Sequence, residues 1–214
     1  MTSLNDTNVN SDLGVNSIFN LIDVTEINFI KTLLYSVVCM ILWTVLPHLQ
    51  MKFNLLSKLI GNDNGKAADF LAYVMIYSGC LRNYTFTEAV NHNLKVDFGA
   101  MNILVFIIGY SLIIFGLFIV ALSFYRLGLR GMYFGDYFGF LFKEKIVNFP
   151  YDIMENPQYI GTCSFFFGVS MTHLSPAGLV LTLFINLTYQ ILNHFESRNL
   201  AIFYPPNNES SKTN

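Results

Sequence analysis

Charge is the feature that this sequence has least of. Only 12% of its 214 residues are Asp, Glu, Lys or Arg, against roughly 25% in soluble domains. The 12 basic and 14 acidic residues nearly balance, so no strongly basic face is present to attract nucleic acid. An apolar fraction of 53% excludes a disordered chain. The chain is therefore either an unusually apolar soluble protein or a membrane protein.

Cysteines are also scarce, and they lie far apart in apolar runs. Cys39, Cys80 and Cys163 form no C-x-x-C pair, which argues against a disulfide scaffold and a thiolate zinc site. The four histidines have no metal-ligand spacing, and no Ser-His-Asp pattern is visible. We predict no metal site. No G-x-G-x-x-G motif follows a strand, so we expect no Rossmann domain.

The distribution of the few charges indicates a membrane protein. Thr32–Met51, Phe98–Tyr125 and Asn156–Phe195 carry no Asp, Glu, Lys or Arg over 20, 28 and 40 residues, and about 20 apolar residues are enough for one crossing. Because lipid cannot pair backbone polar groups, these runs should be helices. The shorter run Phe70–Leu81 predicts a short or partly interfacial helix, or one whose end is shielded by protein. The expected fold is all-α, a polytopic membrane helix bundle.

The 40-residue run has two interpretations. It contains Ser175-Pro176-Ala177-Gly178 near its middle, where proline and glycine favour a break. A broken helical hairpin would place Asn156 and Glu196 at the same membrane face. Alternatively, one tilted crossing runs from about Ala177 to Phe195, and those two residues lie on opposite sides.

The chain divides most simply into one domain with two tails. Residues 1–28 are a polar N-terminal tail, 29–205 a membrane domain and 206–214 a polar C-terminal tail. The first 27 residues lack Lys and Arg, unlike a secretory signal peptide. The loop Arg126–Glu155 carries four basic residues, so the positive-inside rule favours a cytosolic position for it.

Residues 125–161 hold most of the chemically suggestive side chains. Gly128, Gly131, Gly135 and Gly139 recur at intervals of three and four, which on a helix would form a stripe for close packing or for a flat ligand. Aromatic residues surround Asp136, a combination that suits an amine or cationic headgroup; an aromatic belt at the membrane interface is the alternative.

Asn156-Pro157 predicts the start of a helix, with asparagine as N-cap and proline at the first position. The amide groups of a helix N-terminus attract anions, although the feature can equally be a simple cap. Glu196 stands where the following apolar run ends. Its carboxylate is a candidate partner for the amino group of a ligand, or it marks the water boundary.

The sequence resembles the phospholipid N-methyltransferase family, most strongly over residues 125–205. The resemblance lies in LG-x-x-G-x-x-x-GDYFG at Leu127–Gly139, in NP-x-Y-x-G at Asn156–Gly161, in SP-x-GL at Ser175–Leu179 and in the glutamate at Glu196. It implies a membrane enzyme that methylates phosphatidylethanolamine and its mono- and dimethyl derivatives to phosphatidylcholine. S-adenosylmethionine is then the methyl donor, and a phospholipid in the bilayer is the partner.

The resemblance also implies site residues. Ile114-Phe115-Gly116 matches a donor-linked G-x-G of the family, with only the second glycine present, and Glu196-Ser197 matches an acidic pair that has lost its second acid. Asp136, Tyr159 and His194 are the candidate catalytic residues, because each could accept the proton released by the amine. The residues alone do not choose among them.

Two other interpretations accompany this one. An isoprenylcysteine-type carboxyl methyltransferase has a similar C-terminal layout, but it carries a histidine where this chain has Asn156. A non-catalytic membrane relative is the second alternative, supported by the departures at Ile114 and Ser197. The family resemblance implies the endoplasmic reticulum membrane, with a mitochondrial membrane as a second location. Oligomeric state is not indicated.

Overall fold

The computed structural model describes residues 22–142 and 148–203. Within them the chain is all-α, as predicted, and contains no strand. The helices are α1 (Ile27–Phe53), α2 (Leu55–Leu59), α3 (Asn64–His92), α4 (Asn102–Met132), α5 (Pro157–Thr172) and α6 (Pro176–Phe203). Two 3₁₀ turns, Gly99–Met101 and Gly135–Phe138, complete the described structure. The predicted tail 206–214 and most of the predicted tail 1–28 lie outside the described residues.

Three segments are long and apolar enough to cross a membrane. They are Ile27–Phe53, Gly99–Phe138 and Pro176–Asn199, and they contain or overlap the three uncharged runs of the sequence. Many large apolar side chains on these helices are exposed on the outside of the bundle. Their exposure would be unfavourable in water but is expected in lipid. The protein is a multi-pass membrane helix bundle.

The run Phe70–Leu81 belongs to a long helix rather than a short one. α3 has 29 residues and is capped by Asp63. The Asp63 side chain accepts the backbone N–H of Lys66 at 3.0 Å, and this bond lowers the pKa of the Asp63 carboxyl. The prediction of a short helix is therefore wrong, whereas the alternative of a run with one end shielded by protein agrees with the burial of Arg82. Asp69 is paired with Arg130, at 2.8 and 2.9 Å, and Arg82 is buried.

The C-terminal run forms the broken hairpin, so the single tilted crossing is wrong. α5 ends at Thr172, and α6 begins at Pro176 after a turn. The hydroxyl of Ser175 accepts the backbone N–H of Gly178 at 3.2 Å and so caps the second helix. The two helices run antiparallel, which places the start of α5 beside Glu196. We call this end of the bundle the Glu196 end and the opposite one the turn end.

α4 packs against α5 through pairs of glycines that lie outside the stripe predicted from the sequence. Gly109 faces Gly168, and Gly116 faces Gly161, backbone to backbone; a Cβ on Gly161 would lie 2.8 Å from the Gly116 carbonyl oxygen. This close antiparallel contact is typical of helix packing in membranes.

The predicted stripe from Gly128 to Gly139 does not form. Gly128 has φ +65° and kinks α4, and Gly139 has φ +87° after the 3₁₀ turn. These positive φ values are readily available only to glycine. The glycines therefore turn the chain back over the Glu196 end instead of forming a helix face.

Gly161→Ala should destabilise the bundle by about 1–3 kcal/mol, because the added methyl group forces two backbones apart. Gly79→Ala is the matched control, since its Cβ would meet Trp43 at an ordinary 3.7 Å and alanine favours a helix by up to about 1 kcal/mol. Thermal unfolding in detergent compares them, and equal effects of the two substitutions would contradict the glycine contact.

The orientation of the bundle is also testable. The positive-inside rule places the Glu196 end in the cytosol, which should expose Leu59 on that side and Leu94, near the turn end, on the other. Single cysteines at these two exposed positions, in a chain without the native cysteines, are probed with an impermeant maleimide in sealed microsomes. We expect immediate labelling of Leu59→Cys and labelling of Leu94→Cys only after permeabilisation; the reverse order would invert the orientation.

Candidate functional site

A cavity of about 220 Å³ lies between α1, α3, α4, α5 and α6, close to the Glu196 end. Aromatic rings form much of its wall: Trp43, Tyr133, Phe134, Tyr159 and Tyr189. Polar groups also reach it, from Arg82, Asn83, Gln158 and Thr162. A mostly apolar pocket with a few convergent polar groups is the usual form of a small-molecule site.

Tyr159 and Glu196 form a polar pair at the edge of this cavity. The Tyr159 hydroxyl donates to Glu196 Oε2 at 2.8 Å, and its ring stacks on Tyr189 with centroids 4.8 Å apart. The stack and the hydrogen bond fix the ring between the cavity and the carboxylate. Because α5 and α6 are antiparallel, residues 37 positions apart in sequence meet here.

Asn156 begins α5 as predicted, but its side chain does not cap the helix. It stands at the N-cap position, followed by Pro157 at the first helical position. The side-chain amide instead donates to Asn193 Oδ1 on α6. This bond joins the two arms of the hairpin beside the Tyr159–Glu196 pair.

The turn that contains Asp136 covers the Glu196 end of the cavity. After the kink at Gly128, the backbone folds back, and Phe134, Tyr137 and Phe138 are buried. Asn199 Nδ2 donates to the Tyr137 hydroxyl at 2.8 Å, which ties the turn to α6. These rings are therefore part of the protein interior and do not form an aromatic belt facing lipid.

The structure brings together three of the residues singled out from the sequence. Asp136 is half-buried and close enough to interact electrostatically with Glu196, which is bonded to Tyr159. They come from the 3₁₀ turn, α6 and α5, respectively, and meet only because α4 kinks and the hairpin closes. This cluster places two carboxyl groups and a phenol next to an aromatic cavity.

The other predicted site residues lie elsewhere. His194 is exposed, with its ring against Phe195 at 5.9 Å, and Ser197 is exposed with its hydroxyl donating to Asn193 Oδ1 at 3.3 Å. The side chains of Ile114 and Phe115 are 68% and 42% exposed and do not line the cavity.

Gly116 is buried, but its backbone is already packed against Gly161. It therefore offers no open cradle for a ligand. It lies one helical turn from Val120, which does line the cavity.

The phospholipid methyltransferase family model matches residues 104–207. Phosphatidylethanolamine N-methyltransferase of Rattus norvegicus is 31% identical over 183 residues, which cover 86% of this chain and 91% of that protein. The chain belongs to the phospholipid methyltransferase family. The resemblance stated from the sequence is thereby confirmed.

Other members of the family show a similar range of relatedness. Phosphatidyl-N-methylethanolamine N-methyltransferase of Schizosaccharomyces pombe is 34% identical over 164 residues, covering 77% of this chain and 83% of that protein. Phosphatidylethanolamine N-methyltransferase A of Dictyostelium discoideum is 31% identical over 184 residues, which cover 85% of this chain and 84% of that protein. No solved structure matches the chain significantly.

Arg82 is the site residue that sequence reasoning missed in this family member. It directly follows the charge-free run Phe70–Leu81, and the structure places it inside α3, only 3% exposed. Its guanidinium lies over the rings of Trp43, Phe166 and Tyr189, at 5.7, 5.2 and 5.3 Å from their centroids. One signal in the sequence could have identified it: a lone arginine between an apolar run and further helix-forming residues. A charge at membrane depth is usually functional.

Tyr159→Phe should weaken the protein because it leaves the Glu196 carboxylate without its phenol partner, at a cost of about 1.5–3 kcal/mol for a bond to a charged group. In Tyr159→Phe/Glu196→Gln the two losses should be less than additive. Unfolding in detergent measures this cycle, with the exposed Tyr77→Phe as control. Strict additivity would show that the pair is not coupled.

Proposed function

We propose that this protein transfers methyl groups from S-adenosylmethionine to the amine of a phospholipid headgroup, converting phosphatidylethanolamine and its mono- and dimethyl derivatives to phosphatidylcholine. The observation that carries the proposal is the Tyr159–Glu196 pair at the edge of an aromatic cavity, inside the membrane bundle of a phospholipid methyltransferase family member. The relatives named above include both phosphatidylethanolamine and phosphatidyl-N-methylethanolamine N-methyltransferases, which supports all three methylation steps.

Glu196 is the residue that we assign to the methyl donor. Its half-buried carboxylate, bonded to the cavity-lining Tyr159, suits the ammonium or hydroxyl groups of such a molecule. Gly116 is occupied in helix packing, and Ile114, Phe115 and Ser197 are exposed. Because these four do not converge on the cavity, the assignment to the donor depends on Glu196 and not on the matched G-x-G position.

The donor supplies an electrophilic methyl group on a positively charged sulfur. The lipid amine attacks it only when neutral, because the ammonium form has no lone pair. An apolar aromatic cavity disfavours the ammonium form by desolvation and tolerates the quaternary product through cation–π contacts. Each transfer breaks one C–S bond, forms one C–N bond and requires one proton to leave the nitrogen.

Tyr159 is the best-placed group to pass that proton on. Its hydroxyl lines the path from the cavity to the Glu196 carboxylate, so a proton can move from amine to phenol to carboxylate without crossing lipid. Asp136 is near enough for its charge to act on Glu196, and it is the second candidate to receive the proton. We leave the exposed His194 out of the relay.

The membrane in which this reaction occurs is proposed from the family to be that of the endoplasmic reticulum, with a mitochondrial membrane as the second candidate. The direct test of function uses microsomes from cells that lack other phospholipid methyltransferases, supplied with radiolabelled S-adenosylmethionine. We expect label in mono-, di- and trimethylated lipids. Absence of label in any lipid, from protein shown to be folded and inserted, would refute the proposal.

Glu196→Gln should weaken binding of the donor by about 10–100-fold, as expected when a charged hydrogen-bond partner worth 1.5–3 kcal/mol is lost. Ser197→Ala is the matched neighbour, and because Ser197 is exposed it should change binding less than about twofold. Equilibrium binding of radiolabelled donor to purified protein in nanodiscs reports both. If Ser197→Ala were the damaging change, the assignment of the donor would be wrong.

A further inference from the structure

Arg82 carries a buried charge that the described structure does not neutralise. Among residues 22–142 and 148–203, no carboxylate lies within 4.0 Å of its guanidinium. Its neighbours are the three aromatic rings, the Asn83 side-chain oxygen at 3.2 Å and the Tyr189 hydroxyl. Aromatic faces and neutral oxygens soften the cost of burying a cation, but an anion would offset it far better.

Two polar atoms at this cavity are buried without a hydrogen-bond partner. One is Arg82 Nε, a donor, and the other is Gln158 Oε1, an acceptor; Gln158 is only 8% exposed. Both residues line the cavity. Since unsatisfied buried polar groups are rare and costly, an unpaired donor and an unpaired acceptor on two residues of one cavity wall point to a polar ligand there.

Part of the cavity wall lies where α3 passes α4. This part is formed by Gly79 and the exposed Cys80 on α3 and by Val120 on α4, while α4 packs chiefly along α5. The Glu196 end, in contrast, is covered by Tyr133 and Phe134. We therefore expect a lipid to reach the cavity from the bilayer, between α3 and α4, rather than through this covered end.

We infer that Arg82 binds the phosphate of the substrate lipid, so that the cavity holds a zwitterionic headgroup with its phosphate at Arg82 and its amine near Gln158 and Tyr159. This assignment rests on the proposed function for the identity of the lipid. A volume of about 220 Å³ is below the roughly 300–1,000 Å³ of sites that enclose drug-sized ligands, which suits a headgroup better than an entire nucleoside donor.

Arg82→Met tests the inference because it keeps a long side chain and removes the charge and its donors. We expect kcat/KM for phosphatidylethanolamine to fall about 10–100-fold, mainly through KM, as for loss of a charge-assisted pair. Binding of the radiolabelled donor should change less than twofold. Arg82→Lys, which keeps the charge without the planar fork, should recover part of the loss. Arg126→Met, an exposed arginine near the same end of the bundle, should have little effect.

A second comparison tests the contribution of the lipid phosphate alone. Wild-type protein should prefer phosphatidylethanolamine to a diacyl lipid that carries the same amine without phosphate, and Arg82→Met should lose that preference. A structural role for Arg82 would instead lower the unfolding temperature and depress both substrates equally. Removal of an unpaired buried charge should leave the unfolding temperature unchanged or raised.

Lipid retention separates this inference from the proposed function, because it requires no methyl transfer. Native mass spectrometry of the purified protein should show bound phosphatidylethanolamine in wild type and Arg126→Met but not in Arg82→Met. If no lipid is ever methylated and this pattern holds, the proposed function fails and the phosphate site stands. If Arg82→Met retains the lipid, or loses donor binding instead, the phosphate assignment is overturned.

Discussion

A positive charge enclosed by aromatic rings inside a membrane bundle is the constraint around which this protein is organised. Arg82 is 3% exposed, and Trp43, Phe166 and Tyr189 surround it from three helices. Such a charge is unfavourable in an apolar interior unless it gains a partner. Ionisable residues inside membrane helices usually mark functional sites. The surrounding helices therefore act to keep one polar cavity available within an apolar scaffold.

The remaining packing brings chemistry to that cavity. Close glycine contacts such as Gly116–Gly161 hold α5 against α4, and the hairpin turn directs α6 back along α5. Tyr159 and Glu196 meet as a result. The kink at Gly128 then folds the Asp136 turn over the same end. Each element contributes one part of the site, so the cluster exists only in the assembled bundle.

The sequence alone predicted the helical class and offered the hairpin as one of two interpretations, because charge-free runs and a proline break are local signals. Its motifs also singled out Asp136, Tyr159 and Glu196, which the structure places near one another. It failed where the outcome depends on distant partners. Gly128 lies in a regular glycine spacing that suits a helix stripe, yet the chain turns there. The burial of Arg82 could not be predicted locally, because three other helices supply the aromatic rings around it. The sequence also could not show that the side chains of Ile114 and Phe115 are exposed, because this depends on which face of α4 packs against α5.

The most direct test of this account is an experimental structure in nanodiscs with phosphatidylethanolamine and S-adenosylhomocysteine, the demethylated form of the donor. The account predicts a phosphate within hydrogen-bond distance of Arg82, the lipid amine beside Tyr159 and the nucleoside product in contact with Glu196. A lipid headgroup bound elsewhere, or the carboxylate of the product resting on Arg82, would contradict it.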